Sequence, residues 1–235
     1  MGRLIRATKA IAVCASVVVC ATAAWGQGSG KAPPSNPVGA NWNTKIEPNA
    51  ATNGVTLDAR QTEIVKLVSD YFGALSNMQG AFRQTAADGK QMRGKFFLKR
   101  PGRFRFDYAL PSRQVIISDG NLLAIQDHDL KTEDVVELDQ TPFKILLRAE
   151  VDLLRDAHIV AVDEVADMVI VTLQDKNPES YGRIKLFLSK TPELELKEWV
   201  TTDAQGLDTR VEIGDLDTTQ DIDAAKFRRD LMIKF

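Results

Sequence analysis

The chain has 235 residues, a formal net charge of −2 and two cysteines, both within its first twenty residues. We expect that segment to be removed, so thiolate catalysis and cysteine–metal ligation are excluded for the rest of the chain. Two histidines, His128 and His158, are then the only imidazoles.

The first 24 residues have the three-part layout of a secretory signal peptide. Arg3, Arg6 and Lys9 precede an apolar run over residues 10–24 that ends in small side chains. This run is shorter than the ~20 residues that a membrane-spanning helix needs. We therefore expect export and cleavage after residue 23, 24 or 26, which would move the formal charge from −2 to −5.

Residues 25–54 are rich in Gly, Pro, Ser and Asn and carry hardly any aliphatic pattern. This composition predicts a disordered linker. The remaining segment, residues 55–235, has the size of one domain with a substantial core.

That domain is predicted to be one helix followed by many strands. Apolar residues recur every three or four positions over residues 57–75, which predicts an amphipathic helix with Thr56 as its N-cap. After Asn77 the apolar period becomes two, and turn signals at 88–89, 100–102, 118–121 and 127–129 indicate an antiparallel sheet or barrel. Residues 141–157 interrupt this pattern with two short helices. Further strands are expected at about 158–163, 168–174, 183–188, 194–201 and 207–214.

The stretch GKFFLKRPGRFRFDY, residues 94–108, predicts a hairpin. A loop of Pro101-Gly102 alone would mix charged and apolar side chains on both faces, whereas the loop Arg100-Pro101-Gly102 separates them. Arg100 then lies at the rim of an aromatic face. That face carries Phe96, Leu98, Phe104, Phe106 and Tyr108. The opposite face carries Lys95, Lys99, Arg103, Arg105 and Asp107, with Phe97 as the exception.

Several polar patterns have the residue types of binding sites. Seven basic residues without an acid lie between Gly89 and Phe106, a pattern that suggests nucleic acid or anionic lipid. Export removes nucleic acid as a partner. The hairpin register favours the interpretation that these basic residues form a solvated outer face. The functional alternative is a surface that docks a membrane protein. The sequence DHD at 127–129 favours a hairpin tip over a metal site. No nucleophile motif or phosphate-binding glycine loop is present, so we expect neither catalysis nor a cofactor.

Five ordered motifs resemble one protein family. KRPGRFRFDY and QVIISDG (99–108 and 114–120) are similar to the core signature of the periplasmic outer-membrane lipoprotein carrier family, LolA. LSNMQGAFRQ (75–84), TPFKILL (141–147) and DAAKF (223–227) follow that family's order. Ala124 stands where the family usually carries an aromatic residue.

The resemblance implies a mainly β fold of the α+β type. This fold is an incomplete antiparallel barrel wrapped around a long N-terminal helix and closed by short lid helices. Arg100 would latch the lid by hydrogen-bonding helix carbonyls. The lid would include Pro142, Phe143, Leu146 and Leu147. The lipid cavity would include Phe82, Phe96, Leu98, Phe104, Phe106 and Tyr108.

The resemblance also implies a periplasmic chaperone that binds the acyl chains of lipoproteins. Its partners would be acylated lipoproteins and an inner-membrane lipoprotein-releasing ABC transporter, and a receptor lipoprotein at the outer membrane is left open. We expect a monomer. The alternative is a periplasmic protein of the same fold that binds or senses another lipid.

Overall fold

The computed structural model of the chain describes residues 55–177, 180 and 182–229. The predicted signal peptide (1–24) and linker (25–54) lie outside the described residues.

The predicted N-terminal helix forms as α1, Ala59–Ala74. Its N-cap is Asp58 and not Thr56 as predicted, because a reciprocal capping box forms with Gln61. The Asp58 carboxylate accepts the Gln61 amide at 2.7 Å, and the Gln61 side chain accepts the Asp58 amide at 3.1 Å. One side of α1 is buried, through Ile64, Val65, Val68, Ser69 and Phe72.

Eleven strands follow α1 within residues 55–229 as described, and the predicted helical interruption lies between the sixth and the seventh. The strands are β1 (Asn77–Thr85), β2 (Gln91–Lys99), β3 (Arg103–Tyr108), β4 (Gln114–Asp119), β5 (Leu122–Asp127), β6 (Thr132–Glu137), β7 (Ala157–Val165), β8 (Met168–Asp175), β9 (Arg183–Ser189), β10 (Glu195–Thr202) and β11 (Asp208–Asp217). The helical segment consists of a 3-10 turn, Leu138–Gln140, followed by α2 (Lys144–Leu147) and α3 (Leu153–Asp156). A second 3-10 turn, Ala224–Phe227, follows β11.

All neighbouring strands run antiparallel in a single unclosed sheet, in the order β6-β5-β4-β3-β2-β1-β11-β10-β9-β8-β7. The first and last strands pair at the centre, so β6 and β7 form the two edges. The segment 138–156, here called the lid segment after its predicted role, links these edges and carries α2 and α3. This topology confirms the predicted mainly β fold. In the described part of the chain, no helix is long and apolar enough to cross a membrane.

The hairpin of β2 and β3 has the predicted register. Phe96 faces Phe106, Leu98 faces Phe104, and Lys99 faces Arg103. Gly102 has a φ of +68°, the left-handed position that the three-residue loop requires. A Cβ on Gly102 would lie 2.7 Å from the Cα of Gly120 in the next loop. The loops of the motifs KRPGRFRFDY and QVIISDG therefore pack backbone to backbone.

One hydrophobic core lies between α1 and the inner face of the sheet. It joins the buried side of α1 to inward-facing residues of the strands and to the lid segment. The hairpin contributes Phe96, Phe104, Phe106 and Tyr108, none of them more than 7% exposed. The predicted sorting of the aromatic face is therefore confirmed.

The outer face of the hairpin is only partly solvated, which corrects the sequence-based expectation. Residues 218–229, here called the strap, cross it after β11. The Lys99 ammonium donates to the Asp221 carboxylate at 2.6 Å and to the Ile222 carbonyl at 2.8 Å. The Lys226 ammonium lies 3.7 Å from the centre of the Phe97 ring. Phe97, the apolar exception of the outer face, is thus partnered by the strap through a cation–π contact.

The outer face of the sheet also carries Ala124. Ala124 is the cross-strand partner of Ile117, whose other neighbour is Arg105 on the outer face. Both Ala124 and Ile117 are buried, as is Phe227 of the strap. Ala124 therefore faces away from the inner core, and the missing aromatic residue leaves the inner face unchanged.

Gly94 provides a test of how closely β2 packs against its neighbours β1 and β3. A Cβ at Gly94 would overlap the Asp107 carbonyl oxygen and lie 2.7 Å from Cε1 of Phe82. We expect Gly94→Val to lower the free energy of unfolding by about 1–3 kcal/mol, the usual cost of overpacking. Urea denaturation followed by circular dichroism would measure this change.

Gly73→Ala is the matched control. Gly73 lies in α1, and a Cβ there would meet no atom within 4 Å. Alanine should raise the free energy of unfolding by about 1 kcal/mol, because it favours the helix over glycine. Equal effects of the two substitutions would contradict the packing described for Gly94.

Candidate functional site

An apolar cavity lies between α1, α2 and the inner face of the sheet. Its free volume is about 40 Å³, compared with roughly 300–1,000 Å³ for typical ligand pockets. Of the residues lining it, only Arg100 carries a charge. The others are Phe72, Leu75, Met78, Phe96, Phe97, Leu98, Phe104, Phe106, Phe143, Leu146, Leu147, Ile184, Leu186, Leu196 and Trp199. The structure is thus a closed state in which the lining side chains fill most of the site.

Most of the residues proposed from the sequence meet at this cavity. From the hairpin, Phe96, Leu98, Phe104 and Phe106 line one wall, and Arg100 lies at their end. From the predicted lid, Phe143, Leu146 and Leu147 line the opposite side. Pro142 is buried in the same segment but is not part of the lining.

Phe82 and Tyr108 lie outside the cavity lining, contrary to expectation. The Phe82 ring packs edge-on against Phe106 at 5.2 Å and against Tyr108 at 5.1 Å, measured between ring centroids. The Tyr108 hydroxyl donates to the Gln84 side chain at 2.6 Å, and burial raises the pKa of Tyr108. These residues form a core layer that supports the cavity wall.

Half of the cavity comes from residues that the sequence analysis did not select. Leu75 lies at the end of α1, Ile184 and Leu186 lie on β9, and Leu196 and Trp199 lie on β10. The alternation of Ile184, Leu186 and Leu188 marks an inward-facing strand. The period-two alternation of apolar residues does not reveal that β9 and β10 fold back towards the hairpin. The alternation therefore identifies core positions but does not identify a cavity.

Phe143 extends from the lid segment into the cavity and fills part of it. Its ring centroid lies 5.9 Å from that of Trp199 and 6.3 Å from that of Phe104. With Leu146 and Leu147 it is at most 8% exposed. The lid therefore fills the space with its own side chains, and its withdrawal would open the site.

The loop at Arg100 joins the lid to the end of α1. The Arg100 guanidinium donates from Nε to the Leu75 carbonyl at 2.8 Å and from Nη1 to the Arg148 carbonyl at 3.0 Å. The Gly102 amide donates to the Leu147 carbonyl at 2.9 Å. Leu147 and Arg148 end α2, whose last carbonyls lack helical partners. Arg100 therefore lies where the predicted latch requires it.

The hydrogen bonding of Arg100 is incomplete. Its Nη2 is buried without a hydrogen-bond partner among the described residues. Burial lowers the pKa of the guanidinium, but arginine stays charged because its ordinary pKa exceeds about 12. An unsatisfied buried donor of this kind costs about 1–3 kcal/mol. This cost offsets part of the stabilisation that the two carbonyl bonds provide to the closed lid.

The second half of the lid segment is held by polar contacts. The α3 amide of Leu153 donates to the Ser69 hydroxyl of α1 at 3.1 Å. The Asp156 carboxylate receives two bonds from Arg155 at 3.0 Å and pairs with Arg148 at 2.9 Å. The hydrogen bond from Arg155 lowers the pKa of Asp156 despite its burial. Polar contacts therefore join α3 to α1 through Ser69 and to the end of α2 through Arg148.

The two histidines take no part in this site. His128 lies at the β5–β6 tip, where the Asp127 carboxylate accepts the amides of Asp129 and Leu130 at 2.9 Å each. The predicted turn is therefore confirmed. Within the described ranges, no three or more His, Cys, Asp or Glu side chains are grouped to hold a metal ion.

Comparison with known proteins identifies a family. The model of the outer membrane lipoprotein carrier protein LolA matches residues 74–230. Outer-membrane lipoprotein carrier proteins of Chromohalobacter salexigens and Leptothrix cholodnii are each 30% identical to the chain, over 187 and 179 residues. These alignments cover 75% and 72% of this chain and 88% and 82% of the relatives.

Solved structures with a similar shape include a LolA superfamily protein from Nitrosomonas europaea, with a TM-score of 0.41 and 14% identity. That alignment covers 72% of this chain and 97% of the other. MucB has a TM-score of 0.41 and 15% identity, over 74% of this chain and 64% of its own. The family match rests on the sequence comparisons, which span most of the domain. The chain belongs to the outer-membrane lipoprotein carrier family, LolA.

Proposed function

We propose that this protein carries lipoproteins by enclosing their acyl chains in the cavity beneath the lid. The observation that carries the proposal is the closure of an apolar cavity by a lid that few polar bonds hold. The names of the relatives, outer-membrane lipoprotein carrier proteins, support the same assignment.

The energetics favour a carrier that opens. Burying a methylene contributes about 0.8 kcal/mol, so three chains of roughly fifteen carbons represent tens of kcal/mol of gross transfer free energy. The closed cavity of about 40 Å³ has no room for them. Cargo would have to displace Phe143, Leu146 and Leu147, and its acyl chains would replace the apolar contacts that these side chains give up.

Release of the cargo depends on the same competition between lid contacts and acyl-chain contacts. When the lid opens, the Arg148 and Leu147 carbonyls lose their bonds to the hairpin loop and become exposed to water. When cargo leaves, these bonds and the contacts of Phe143 form again. The closed empty state thus competes with acyl binding, and this competition keeps the cargo deliverable.

In the proposed route, the protein receives lipoproteins in the periplasm from an inner-membrane ABC transporter and delivers them to the outer membrane. The predicted signal peptide supports the periplasmic location. The protein itself would need neither ATP nor a cofactor and would catalyse no reaction.

The latch can be tested with Arg100→Leu. We expect the amides of Leu146 and Leu147, which donate to the Phe143 carbonyl, to exchange hydrogen at least about tenfold faster. A hydrogen bond from a charged donor contributes about 1.5–3 kcal/mol, and 1.4 kcal/mol corresponds to tenfold. Native-state hydrogen exchange of the exported protein would measure this.

Arg103→Leu is the control, because Arg103 faces Lys99 on the outer side of the same hairpin. It should leave the exchange of the α2 amides unchanged. If Arg100→Leu had no larger effect than Arg103→Leu, Arg100 would not hold the lid.

Cargo binding can be tested with Phe104, which is 2% exposed at the cavity wall. Protein isolated from the periplasm should contain acylated lipoprotein detectable by mass spectrometry. Phe104→Glu should abolish this, because a carboxylate in an apolar site opposes acyl burial. Phe104→Leu keeps the wall apolar and should retain most of the cargo.

Two results would contradict the proposal. Equal cargo with Phe104→Glu and Phe104→Leu would show that the acyl chains bind elsewhere. Recovery of a lipid without any attached protein would favour the alternative, a lipid-binding protein of the same fold, because the apolar lining does not discriminate between sources of acyl chains.

A further inference from the structure

A second concave site lies on the outer face of the sheet, at the end of the hairpin away from Arg100. It is a groove of about 720 Å³ over β1, β2 and β11. Three exposed basic side chains, Arg83, Arg93 and Lys95, line it together with the carboxylates Asp107 and Glu212. We call it the basic groove. The strap contacts the other end of the hairpin, around Lys99 and Phe97.

The three basic residues of the groove are close neighbours on one face of the sheet. Arg83 and Arg93 are direct cross-strand partners of β1 and β2. Like charges in directly opposite positions destabilise a sheet. Lys95 lies two residues beyond Arg93 on the same face. A bound anion would turn this repulsion into attraction.

Neighbouring carboxylates neutralise only part of this charge. The nearest carboxylate to Arg83 is that of Glu212, at 3.9 Å. Asp107, the cross-strand partner of Lys95, accepts a hydrogen bond from Arg105 at 2.6 Å. In the described part of the chain, Arg93 and Lys95 have neither a hydrogen bond nor an ion pair through their side chains. The positive charges of Arg93 and Lys95 therefore remain unneutralised and attract an anionic group such as a phosphate.

The floor of the groove is made by small residues. Ala81 faces Gly214 across β1 and β11 and Lys95 across β1 and β2. A Cβ built on Gly214 meets no atom within 4 Å, and its backbone φ is not in the left-handed region. Glycine here is required neither by packing nor by backbone conformation. It leaves open space beneath the basic side chains.

We propose that the basic groove binds the phosphate of anionic phospholipid headgroups and docks the protein on a membrane surface. Guanidinium groups suit phosphate because their paired N–H donors match its oxygens. Arginine is common at protein interfaces too, but these interfaces are also enriched in exposed aromatic residues and depleted in lysine and carboxylates. The one aromatic ring at the groove, that of Phe82, is only 3% exposed.

The groove and the lid are separate. Arg93 and Arg100 are seven positions apart along the extended chain of β2, a distance of roughly 23 Å at about 3.3 Å per residue. The groove lies on the outer face of the sheet and the lid segment packs against the inner face, so a membrane bound at the groove would lie on the opposite side of the sheet from the lid segment. The proposed headgroup site therefore does not depend on the lipoprotein-carrier function.

The test is cosedimentation with vesicles made of equal parts phosphatidylglycerol and phosphatidylcholine, at low ionic strength. Arg93→Gln with Lys95→Gln should lower the partition coefficient about 30-fold, at about 1 kcal/mol for each basic residue. Lys66→Gln with Lys131→Gln removes the same charge from exposed positions elsewhere and should have little effect. An equal loss in both double variants would overturn the site.

Gly214→Leu separates the groove from a diffuse charge effect. The leucine side chain would occupy the floor without changing any charge, so we expect it to weaken vesicle binding as well. Unchanged binding by Gly214→Leu would contradict a site in the groove. Circular dichroism and the acylated cargo of each variant would show that fold and cavity are intact.

Competitors distinguish the source of the anion. Glycerol phosphate should compete only weakly with vesicles, because a membrane presents many headgroups at once. Binding of inorganic phosphate without any binding of vesicles would overturn the membrane assignment. Binding to polyglutamate as strong as binding to anionic vesicles would also overturn it and would indicate an acidic protein surface instead.

Discussion

The pairing of β1 with β11 is the constraint on which the rest of the structure depends. Because the first and last strands meet at the centre, the two edges of the sheet are strands from the middle of the sequence, β6 and β7. The connection between them has to cross the opening that an unclosed sheet leaves. That connection is the lid segment, 138–156. The position of the lid is thus a consequence of topology, and its apolar residues turn inward to fill the space between α1 and the sheet.

The closed state rests on a balance between apolar burial and a few hydrogen bonds. Phe143, Leu146 and Leu147 bury their side chains in the cavity, while Arg100 and Gly102 bind the end of α2. The buried Nη2 of Arg100 lacks a partner among the described residues, which limits how far this loop stabilises closure. A carrier needs such moderation, because a lid that closed too firmly would exclude cargo.

The hairpin of β2 and β3 contributes to three parts of the structure. Its inner face forms one wall of the cavity, its loop holds the lid, and its outer face is divided between the strap and the basic groove. Period-two alternation makes this possible, because successive side chains point to opposite faces of a strand. The mixture of phenylalanine with arginine and lysine in residues 94–108 therefore reflects two faces with different partners.

The sequence by itself determined the helix, the strands and the hairpin register, because each depends on local periodicity and turn chemistry. It also placed Arg100 at the rim of an aromatic face, and the resemblance of five motifs identified the family. Tertiary structure decided which aromatic residues line the cavity. Phe82 and Tyr108 share the pattern of Phe104 and Phe106 but lie in a supporting core layer, whereas Trp199 joins the lining from β10. The strap and the basic groove also needed the fold, because their contacts join residues more than a hundred positions apart. Local patterns specify which face of a strand is buried, and only long-range packing specifies what covers it.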